Sequence, residues 1–261
     1  MEVVVVESPE EAARVVADAY TALLRRTPTA VLGLATGSTP LPVYRELARR
    51  HREEGLRFAE ARAFLLDEYV GLPPGHPERY REFIRAELER HVDFAPGAIV
   101  GPGDLDVDPL DAGPAYERMI RDAGGIDLQI LGIGSDGHLA FNMPMSSLAS
   151  RTRVKTLTSR TRQDNARFFG GDIEQVPTHC LTQGLSTILD SRHAVMLGFG
   201  RGKAQAVREA VEGPLSSRWP ASVLQLHPHA TVVVDEDAAG QLAFVDYYRT
   251  TYAGKPVGQG L

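Results

Sequence analysis

Several features that would point to particular protein classes are scarce in this chain of 261 residues. It has one cysteine, Cys180, so no internal disulfide can form, and we expect this thiol to be a small apolar filler rather than a nucleophile. No apolar run approaches the roughly 20 residues of a membrane span. The apolar start at residues 3–6 is too short for a signal peptide and lacks its basic flank. These absences predict a cytoplasmic protein that has no membrane partner.

Positive charge is also in short supply. The formal net charge is -6, which argues against a broad nucleic-acid surface but leaves room for a local cationic pocket. Hydrophobic residues make up 43% and charged residues 24% of the chain, as is ordinary for a soluble globular protein. We therefore expect no nucleic-acid partner.

Short apolar runs alternate with amphipathic segments along the chain. We expect strands at residues 3–6, 30–34, 63–66, 127–132, 194–199 and 230–234, and helices over 9–26, 40–51, 77–91 and 203–212. Residues 101–114, rich in Gly, Pro and Asp, are expected to form a surface loop. The alternation predicts one α/β domain over residues 1–261, a three-layer α/β/α, Rossmann-like arrangement around a mostly parallel sheet. Sites in such sheets lie at the carboxyl ends of the strands.

One strand end carries an acid–base pair. Residues 127–132 lead into a glycine-rich turn in which Asp136 and His138 stand two positions apart, with Gly134 and Gly137 beside them. Glycine permits a sharp turn or the close approach of a ligand. A carboxylate beside an imidazole supplies a titratable ring and an acceptor that fixes its tautomer. An isolated pair of this kind is usually a polar turn, but its neighbours along the chain favour a site.

A second strand end predicts an anion site. Residues 35–40 form a small polar loop directly ahead of a helix, and the groups that suit a phosphate belong to Thr36, Gly37, Ser38 and Thr39. The loop is neither a Walker A motif nor a dinucleotide-binding Gly-x-Gly-x-x-Gly. A plain helix cap is the alternative interpretation.

Two further strand ends carry charge. Asp67 and Glu68 follow the third strand, and in extended backbone their side chains point in opposite directions. One carboxylate would then face the crevice as a base while the other makes structural contacts, a solvated acidic turn being the alternative. Lys203 follows a glycine-rich turn at a helix start, where the helix dipole does not favour a cation, which suggests a bound anion. Arg167 is a second candidate cation, although a lone arginine on a helix is usually solvated.

Together these loops resemble the glucosamine-6-phosphate deaminase family. The matching segments are Leu-Ala-Thr-Gly-Ser-Thr-Pro at 34–40, Leu-Asp-Glu-Tyr-Val-Gly-Leu at 66–72, Gly-Ile-Gly-Ser-Asp-Gly-His-Leu-Ala-Phe-Asn at 132–142, Ser-Ser-Leu-Ala-Ser-Arg-Thr-Arg-Val-Lys-Thr at 146–156, Asn-Ala-Arg-Phe-Phe at 165–169, and shorter matches at 202–204 and 224–228. They follow one order over almost the whole chain. The resemblance implies an enzyme that converts glucosamine 6-phosphate, an amino-sugar phosphate, to fructose 6-phosphate and ammonia. It also implies no cofactor, no metal and a homo-oligomer.

The resemblance also implies a role for each loop. Asp67 becomes the base that moves a proton between C2 and C1, and His138, supported by Asp136, becomes the group that opens the sugar ring. A positioned carboxylate suits the first step, and an imidazole near neutrality suits the second. The resemblance assigns phosphate binding to the loop at 36–39 together with Arg167 and Lys203.

One position departs from the family pattern. After Phe141-Asn142 the family has glutamate, which completes the acid–base group around the histidine, whereas this chain has Met143. A thioether cannot hold charge and is at best a weak acceptor. Because His138 keeps Asp136, we expect impaired ring opening and not a dead pocket. A changed substrate or an engineered variant is the alternative interpretation.

The resemblance extends to a regulatory site. Some deaminases of this type bind N-acetylglucosamine 6-phosphate between subunits and are activated by it, and the matching positions here are Ser146, Arg153, Lys155, Thr156 and Tyr247. Arg153 and Lys155 would share one face of a strand and clamp a phosphate. An exposed basic strand is the alternative.

Two other functions compete with the deaminase. A 6-phosphogluconolactonase shares the fold and the Gly-x-Gly-x-Asp-Gly-His loop, but it hydrolyses a lactone and needs no base at Asp67. The other alternative is a sugar-phosphate-binding regulator or degenerate paralogue in which Met143 marks lost catalysis. The intact Asp67, Asp136 and His138 favour the deaminase.

Overall fold

The computed structural model describes residues 1–256 and 258–261. The strands are Glu2–Val6 (β1), Val31–Leu34 (β2), Arg62–Leu65 (β3), Asp67–Tyr69 (β4), Ile99–Val100 (β5), Leu128–Gly132 (β6), Arg153–Thr156 (β7), His179–Thr182 (β8), Ala194–Gly198 (β9) and Ala230–Asp235 (β10). The helices are Pro9–Arg26 (α1), Leu41–Glu54 (α2), Tyr80–Glu87 (α3), Pro109–Asp122 (α4), Ser159–Asn165 (α5), Leu185–Leu189 (α6), Ala204–Val211 (α7), Glu236–Ala239 (α8) and Val245–Ala253 (α9).

A seven-stranded parallel sheet forms the centre of the molecule, in the order β1-β10-β9-β6-β2-β3-β5. Alternate residues of its strands enter different hydrophobic clusters: Leu32 and Leu34 join the main core, whereas Val31 packs with Tyr116 and Ile120 of α4. Side chains alternate across a strand, so both faces of this sheet are covered. The predicted α/β fold with a mostly parallel sheet flanked by helices is confirmed.

A second, antiparallel sheet of three strands, in the order β4-β8-β7, was not expected. It grows out of the first sheet, because only Leu66 separates β3 from β4. Gln183, just after β8, ties the two sheets together: its backbone N–H donates to the Leu66 carbonyl at 2.8 Å and its side-chain Nε2 donates to the Leu65 carbonyl at 3.0 Å. The chain is therefore braced at the point where Asp67 begins β4.

The helix boundaries follow local chemistry. α1 begins as expected, with Pro9 in its first turn and the Ser8 hydroxyl accepting from the Glu11 N–H at 3.2 Å. The predicted loop at 101–114 is wrong in its second half, because α4 begins at Pro109 and the Asp108 carboxylate caps it. The helix expected from Pro77 begins three residues later and ends at Glu87.

None of the helices formed by the described residues combines the length and the apolar character needed to cross a lipid bilayer.

Candidate active site

The loop between β2 and α2 keeps its polar groups available. Pro40 occupies the N-cap position of α2 and provides no side-chain cap, so the helix-cap interpretation of Ser38 and Thr39 is not borne out. Gly37 has a φ of 92° and, like Ser38, is exposed, while Thr36 and Thr39 are half-buried. The free hydroxyls at the start of a 14-residue helix suit an anion.

Asp67 is an ionisable group in an almost dry environment. Its side chain belongs to β4 and the residue is only 7% exposed. Burial, and then the neighbouring charge of Glu68, raises the pKa of Asp67 well above its ordinary value. A carboxyl group with a raised pKa can take up a proton near neutral pH.

Glu68 points away from Asp67 into a cradle of backbone N–H groups, as the extended backbone predicts. Its carboxylate accepts from the Tyr69 N–H at 2.9 Å and from the Tyr80 and Arg81 N–H groups at 3.0 Å each, which caps α3. Burial raises its pKa, and those three N–H groups, together with the charge of Arg79, oppose the rise. Glu68 is therefore structural, and it fixes β4 and so the direction of Asp67.

Asp136 and His138 form a close pair in the turn after β6. The Asp136 Oδ1 lies 2.6 Å from His138 Nδ1 and accepts from the His138 N–H at 3.3 Å. Burial is the largest single influence and raises the pKa of Asp136. The hydrogen bonds with His138 and the charge of its ring together outweigh burial, so the pKa falls to about 2. The imidazole rests on Gly134, where a Cβ would stand 2.2 Å from Nδ1, so this position admits only glycine.

A short series of contacts joins Asp67 to this pair. Asp67 is paired with Thr182 in the β4–β8 ladder, and the Thr182 hydroxyl accepts from the Phe141 N–H at 3.2 Å. Phe141 lies three residues after His138. Asn142, next in the chain, donates to the Gln183 carbonyl at 2.8 Å. The acid–base turn is thus hydrogen-bonded to the end of β8, the strand that pairs with the strand carrying Asp67.

The two predicted cations influence one another's charge. Burial lowers the pKa of Lys203, the charge of Asp136 opposes this shift, and the charge of Arg167 adds to it. Arg167 is exposed, and its guanidinium carbon lies 4.7 Å from the centre of the Phe168 ring. The same segment returns to β4, because Asn165 donates to the Tyr69 hydroxyl at 2.9 Å.

Met143 sits at the edge of this turn, half-buried, and its carbonyl accepts from the Ser146 N–H at 3.0 Å. Met145 has a φ of 71° and is 73% exposed. Among the described residues, the side-chain oxygens of Asn142 and Ser146 are buried without a hydrogen-bond partner.

The predicted regulatory residues are divided within one chain. Arg153 and Lys155 do share one face of β7; burial lowers the pKa of both, and the charge of Arg153 lowers that of Lys155 further. Thr156 ends the same strand and is exposed. Tyr247 lies on α9, which packs on β1 at the far edge of the large sheet, and is 64% exposed. One chain alone does not bring Tyr247 to β7.

The described residues contain no cluster of three or more His, Cys, Asp or Glu side chains arranged to hold a metal ion.

Comparison with known proteins identifies the family. Residues 6–234 match the family described as glucosamine-6-phosphate isomerases/6-phosphogluconolactonase. Over all 261 residues the chain is 60% identical to the glucosamine-6-phosphate deaminase of Mycolicibacterium smegmatis and 61% identical to that of Beutenbergia cavernae, covering 100% of each relative. The chain belongs to the glucosamine-6-phosphate deaminase family.

Solved structures of the family agree with this fold. A structure described as a monomeric glucosamine-6-phosphate deaminase superposes with a TM-score of 0.88 at 40% identity, covering 92% of this chain and 100% of that one. The 6-phosphogluconolactonase of Trypanosoma brucei has a TM-score of 0.72 at 19% identity, covering 93% and 98%. At that identity the lactonase shows a shared fold and no more.

Some residues that shape this deaminase-family site carry no local signal in the sequence. Thr182 and Gln183 join it through β8, a strand we did not predict. Trp219 contacts Gly137, which lies far away in the chain. The Glu68 cradle was foreseen only as a structural role for one of two carboxylates, because its partners belong to a helix start that we had placed three residues too early.

Because Asp67 is buried, we expect its negative charge to lower the free energy of unfolding. Because the folded-state pKa is raised above the unfolded one, the stabilising contribution of Asp67 is present below the unfolded pKa and is lost as pH rises through the folded pKa. Asp67→Asn is neutral at every pH. We expect it to raise the free energy of unfolding at pH 8 by about 1 kcal/mol or more, one pKa unit being about 1.4 kcal/mol.

Urea unfolding at pH 5 and pH 8 measures this effect, and the gain should shrink at the lower pH. The control is Asp164→Asn on the exposed side of α5. Equal gains for both variants, or a loss at pH 8 for Asp67→Asn, would show that burial does not penalise the Asp67 charge.

Proposed function

We propose that this chain isomerises and deaminates glucosamine 6-phosphate to fructose 6-phosphate and ammonia. The observation that carries the proposal is that β8 lies beside Asp67 in the β4–β8 ladder and also binds the backbone just after the Asp136–His138 pair, near the strand ends that the polar loop and Lys203 follow. Relatives about 60% identical over their full length bear the name of this enzyme. No cofactor is needed, because every step moves protons or adds water.

Binding of the phosphate comes first. Thr36–Thr39 offer hydroxyls and N–H groups at the start of α2, and Lys203 and Arg167 offer positive charge. Burial disfavours the charged form of Lys203, and a dianionic phosphate restores it. Holding the phosphate fixes the sugar relative to the acid–base groups.

Ring opening then falls to His138. The ring oxygen must gain a proton while the C1 hydroxyl loses one, and an imidazole can serve both atoms. Asp136, with its pKa lowered to about 2, stays ionised and holds the Nδ1 side of the ring, which leaves Nε2 for the sugar. The product of this step is the open-chain aldehyde.

Isomerisation falls to Asp67. Its carboxylate takes the proton from C2 and returns it to C1, while the C1 oxygen gains a proton and the nitrogen loses one. The aldehyde and amine thereby become a C1 hydroxymethyl group beside a C2 imine. Water then adds to the C=N bond, and ammonia leaves. The buried position of Asp67 supports this role, because burial raises the pKa of Asp67 toward the pH at which the enzyme works.

The competing functions receive less support. The solved 6-phosphogluconolactonase structures, at 17–21% identity, share the fold alone. A lactonase also gains nothing from a buried base in β4. The regulator alternative would leave the short Asp136–His138 contact and the buried Asp67 carboxylate without a use. We also propose a cytoplasmic location, which the single cysteine supports.

We expect ammonia and fructose 6-phosphate to appear together when the protein is given glucosamine 6-phosphate, with no hydrolysis of 6-phosphogluconolactone. Asp67→Asn should lose turnover, because no other group can carry the proton between C2 and C1. It should still bind glucosamine 6-phosphate in calorimetry. Loss of binding together with turnover would contradict the base assignment, and lactone hydrolysis by the wild type would contradict the reaction.

Met143 gives a second prediction about the same pocket. If the position supports ring opening, Met143→Glu adds a carboxylate that can share proton transfer with His138, and kcat should rise within the ~10²–10⁴-fold range of positioned acid–base groups. Met143→Gln is the matched control, since it adds polarity without a titratable group. No gain for the glutamate variant, with the fold preserved, would mean that this pocket acts on a different substrate.

We further propose that N-acetylglucosamine 6-phosphate activates the enzyme by binding Ser146, Arg153, Lys155, Thr156 and Tyr247. Tyr247 and β7 lie apart in one chain, so the site needs a second copy and the proposal entails a homo-oligomer. The relative at 40% identity is described as monomeric.

Light scattering and kinetics test this regulatory site. We expect an oligomer, a lower KM in the presence of the activator, and loss of that effect in Lys155→Ala with the basal rate retained. A monomer in solution, or a rate unaffected by N-acetylglucosamine 6-phosphate, would contradict the proposal.

A further inference from the structure

A tryptophan presses on the glycine at the centre of the acid–base turn. Trp219 is the single tryptophan of the sequence and is half-buried. A Cβ built on Gly137 would stand 2.7 Å from its Cε3 and 3.4 Å from its Cα. The indole therefore lies in direct contact with the backbone that separates Asp136 from His138.

The segment around this tryptophan also holds the turn through its backbone. The Ala221 N–H donates to the Gly137 carbonyl at 2.8 Å, and the Ser217 carbonyl accepts from the Met145 N–H at 2.7 Å. Residues 216–222, the bracing segment, thus grip the 136–145 loop on both sides of His138. None of these groups belongs to the phosphate loop or to β4.

The bracing segment is itself firmly built. The buried Ser222 hydroxyl donates to the Ser216 carbonyl at 3.0 Å and accepts from the Ser216 N–H at 2.9 Å, which closes the segment into a loop. Pro220–Leu226 continues as a 3-10 helix whose first five residues are buried. On its outer side the indole is covered by Arg218, whose guanidinium carbon lies 4.7 Å from the ring centre. The indole therefore contacts both Gly137 and the Arg218 guanidinium.

The acid–base pair is sensitive to small movements at this point. Gly137 has a φ of 80°, which glycine adopts readily, and it links both partners of the 2.6 Å contact, so a change in its backbone would move Asp136 relative to His138. The imidazole also lies against Gly134, so it cannot shift freely. Productive acid–base geometry tolerates about 0.5 Å, and a misplacement of about 1 Å can cost ~10²-fold in rate.

We propose that Trp219 is a positioning residue for the reaction: through its contact with Gly137 it holds Asp136 and His138 in the geometry that ring opening requires. The inference rests on the proposed role of His138. It adds a residue that touches neither the phosphate site nor Asp67. Its effect should therefore fall on kcat and not on binding of the sugar phosphate.

A double-mutant cycle tests the inference. Trp219→Leu should lower kcat with glucosamine 6-phosphate roughly 10–100-fold while KM changes less than about threefold. In a His138→Gln background the same change should have almost no further effect, because the group that Trp219 positions is already gone. Leu226→Ala, at the 61% exposed end of the same 3-10 helix, is the matched control and should leave both constants unchanged.

A second readout does not depend on turnover. The His138 Nδ1 proton, hydrogen-bonded to Asp136, gives an NMR signal that should shift or broaden in Trp219→Leu and stay in place in Leu226→Ala. Trp219→Phe, which keeps an aromatic ring but loses part of the contact, should give a smaller change. If Trp219→Leu does not fold, the NMR measurement is made on Trp219→Phe instead.

The outcomes separate the two proposals. An unchanged His138 signal in the Trp219 variants, or equal losses of kcat with and without His138, would overturn the positioning role. If the His138 signal shifts in the Trp219 variants but the wild-type protein releases no ammonia, the proposed function would be overturned and the positioning role would stand.

Discussion

The structure depends on keeping one carboxylate, that of Asp67, buried where it can still reach a ligand. A buried charge is unfavourable, and the neighbouring charge of Glu68 adds to that cost, so the pKa of Asp67 is raised well above its ordinary value. Proteins keep such a group only where the surrounding structure holds it in place. Here the holding elements are the β4–β8 pairing on one side and the Glu68 cradle on the other.

The two sheets explain why the acid–base groups assemble at this place. The parallel sheet collects the turns after β2, β6 and β9 at one edge, which brings the polar loop, the Asp136–His138 pair and Lys203 together. The small antiparallel sheet begins one residue after β3 ends, and Thr182 in its middle strand lies opposite Asp67 and accepts a hydrogen bond from the Phe141 N–H. The candidate active site therefore lies where the parallel and antiparallel sheets meet.

Much of this arrangement was predictable from the residues. Buried parallel strands read as continuous apolar runs, so β1, β2, β6 and β10 were found close to their observed positions, and strand–helix alternation placed the charged turns at a common edge. The opposite directions of Asp67 and Glu68 followed from the two-residue period of a strand. Arg153 and Lys155 were placed on one face of a strand by the same rule.

The parts that were missed depend on long-range contacts or on weak local signals. β4 and β8 are short and carry polar residues among their apolar ones, so they lack the continuous apolar run that revealed β2. α4 was read as a loop because its first residues are rich in Pro, Gly and Asp, although Asp108 before Pro109 is a helix-start pattern. The contact of Trp219 with Gly137 joins distant parts of the chain, and no spacing rule predicts it.

The most direct test of the central claim is the fate of the hydrogen at C2. Glucosamine 6-phosphate deuterated at C2 is converted in ordinary water, and the fructose 6-phosphate is analysed for deuterium at C1. If the shielded carboxylate of Asp67 carries that hydrogen from one carbon to the next, part of the label should appear at C1 before it exchanges with solvent. Product without any label at C1, or label transfer that persists in Asp67→Asn, would contradict the account.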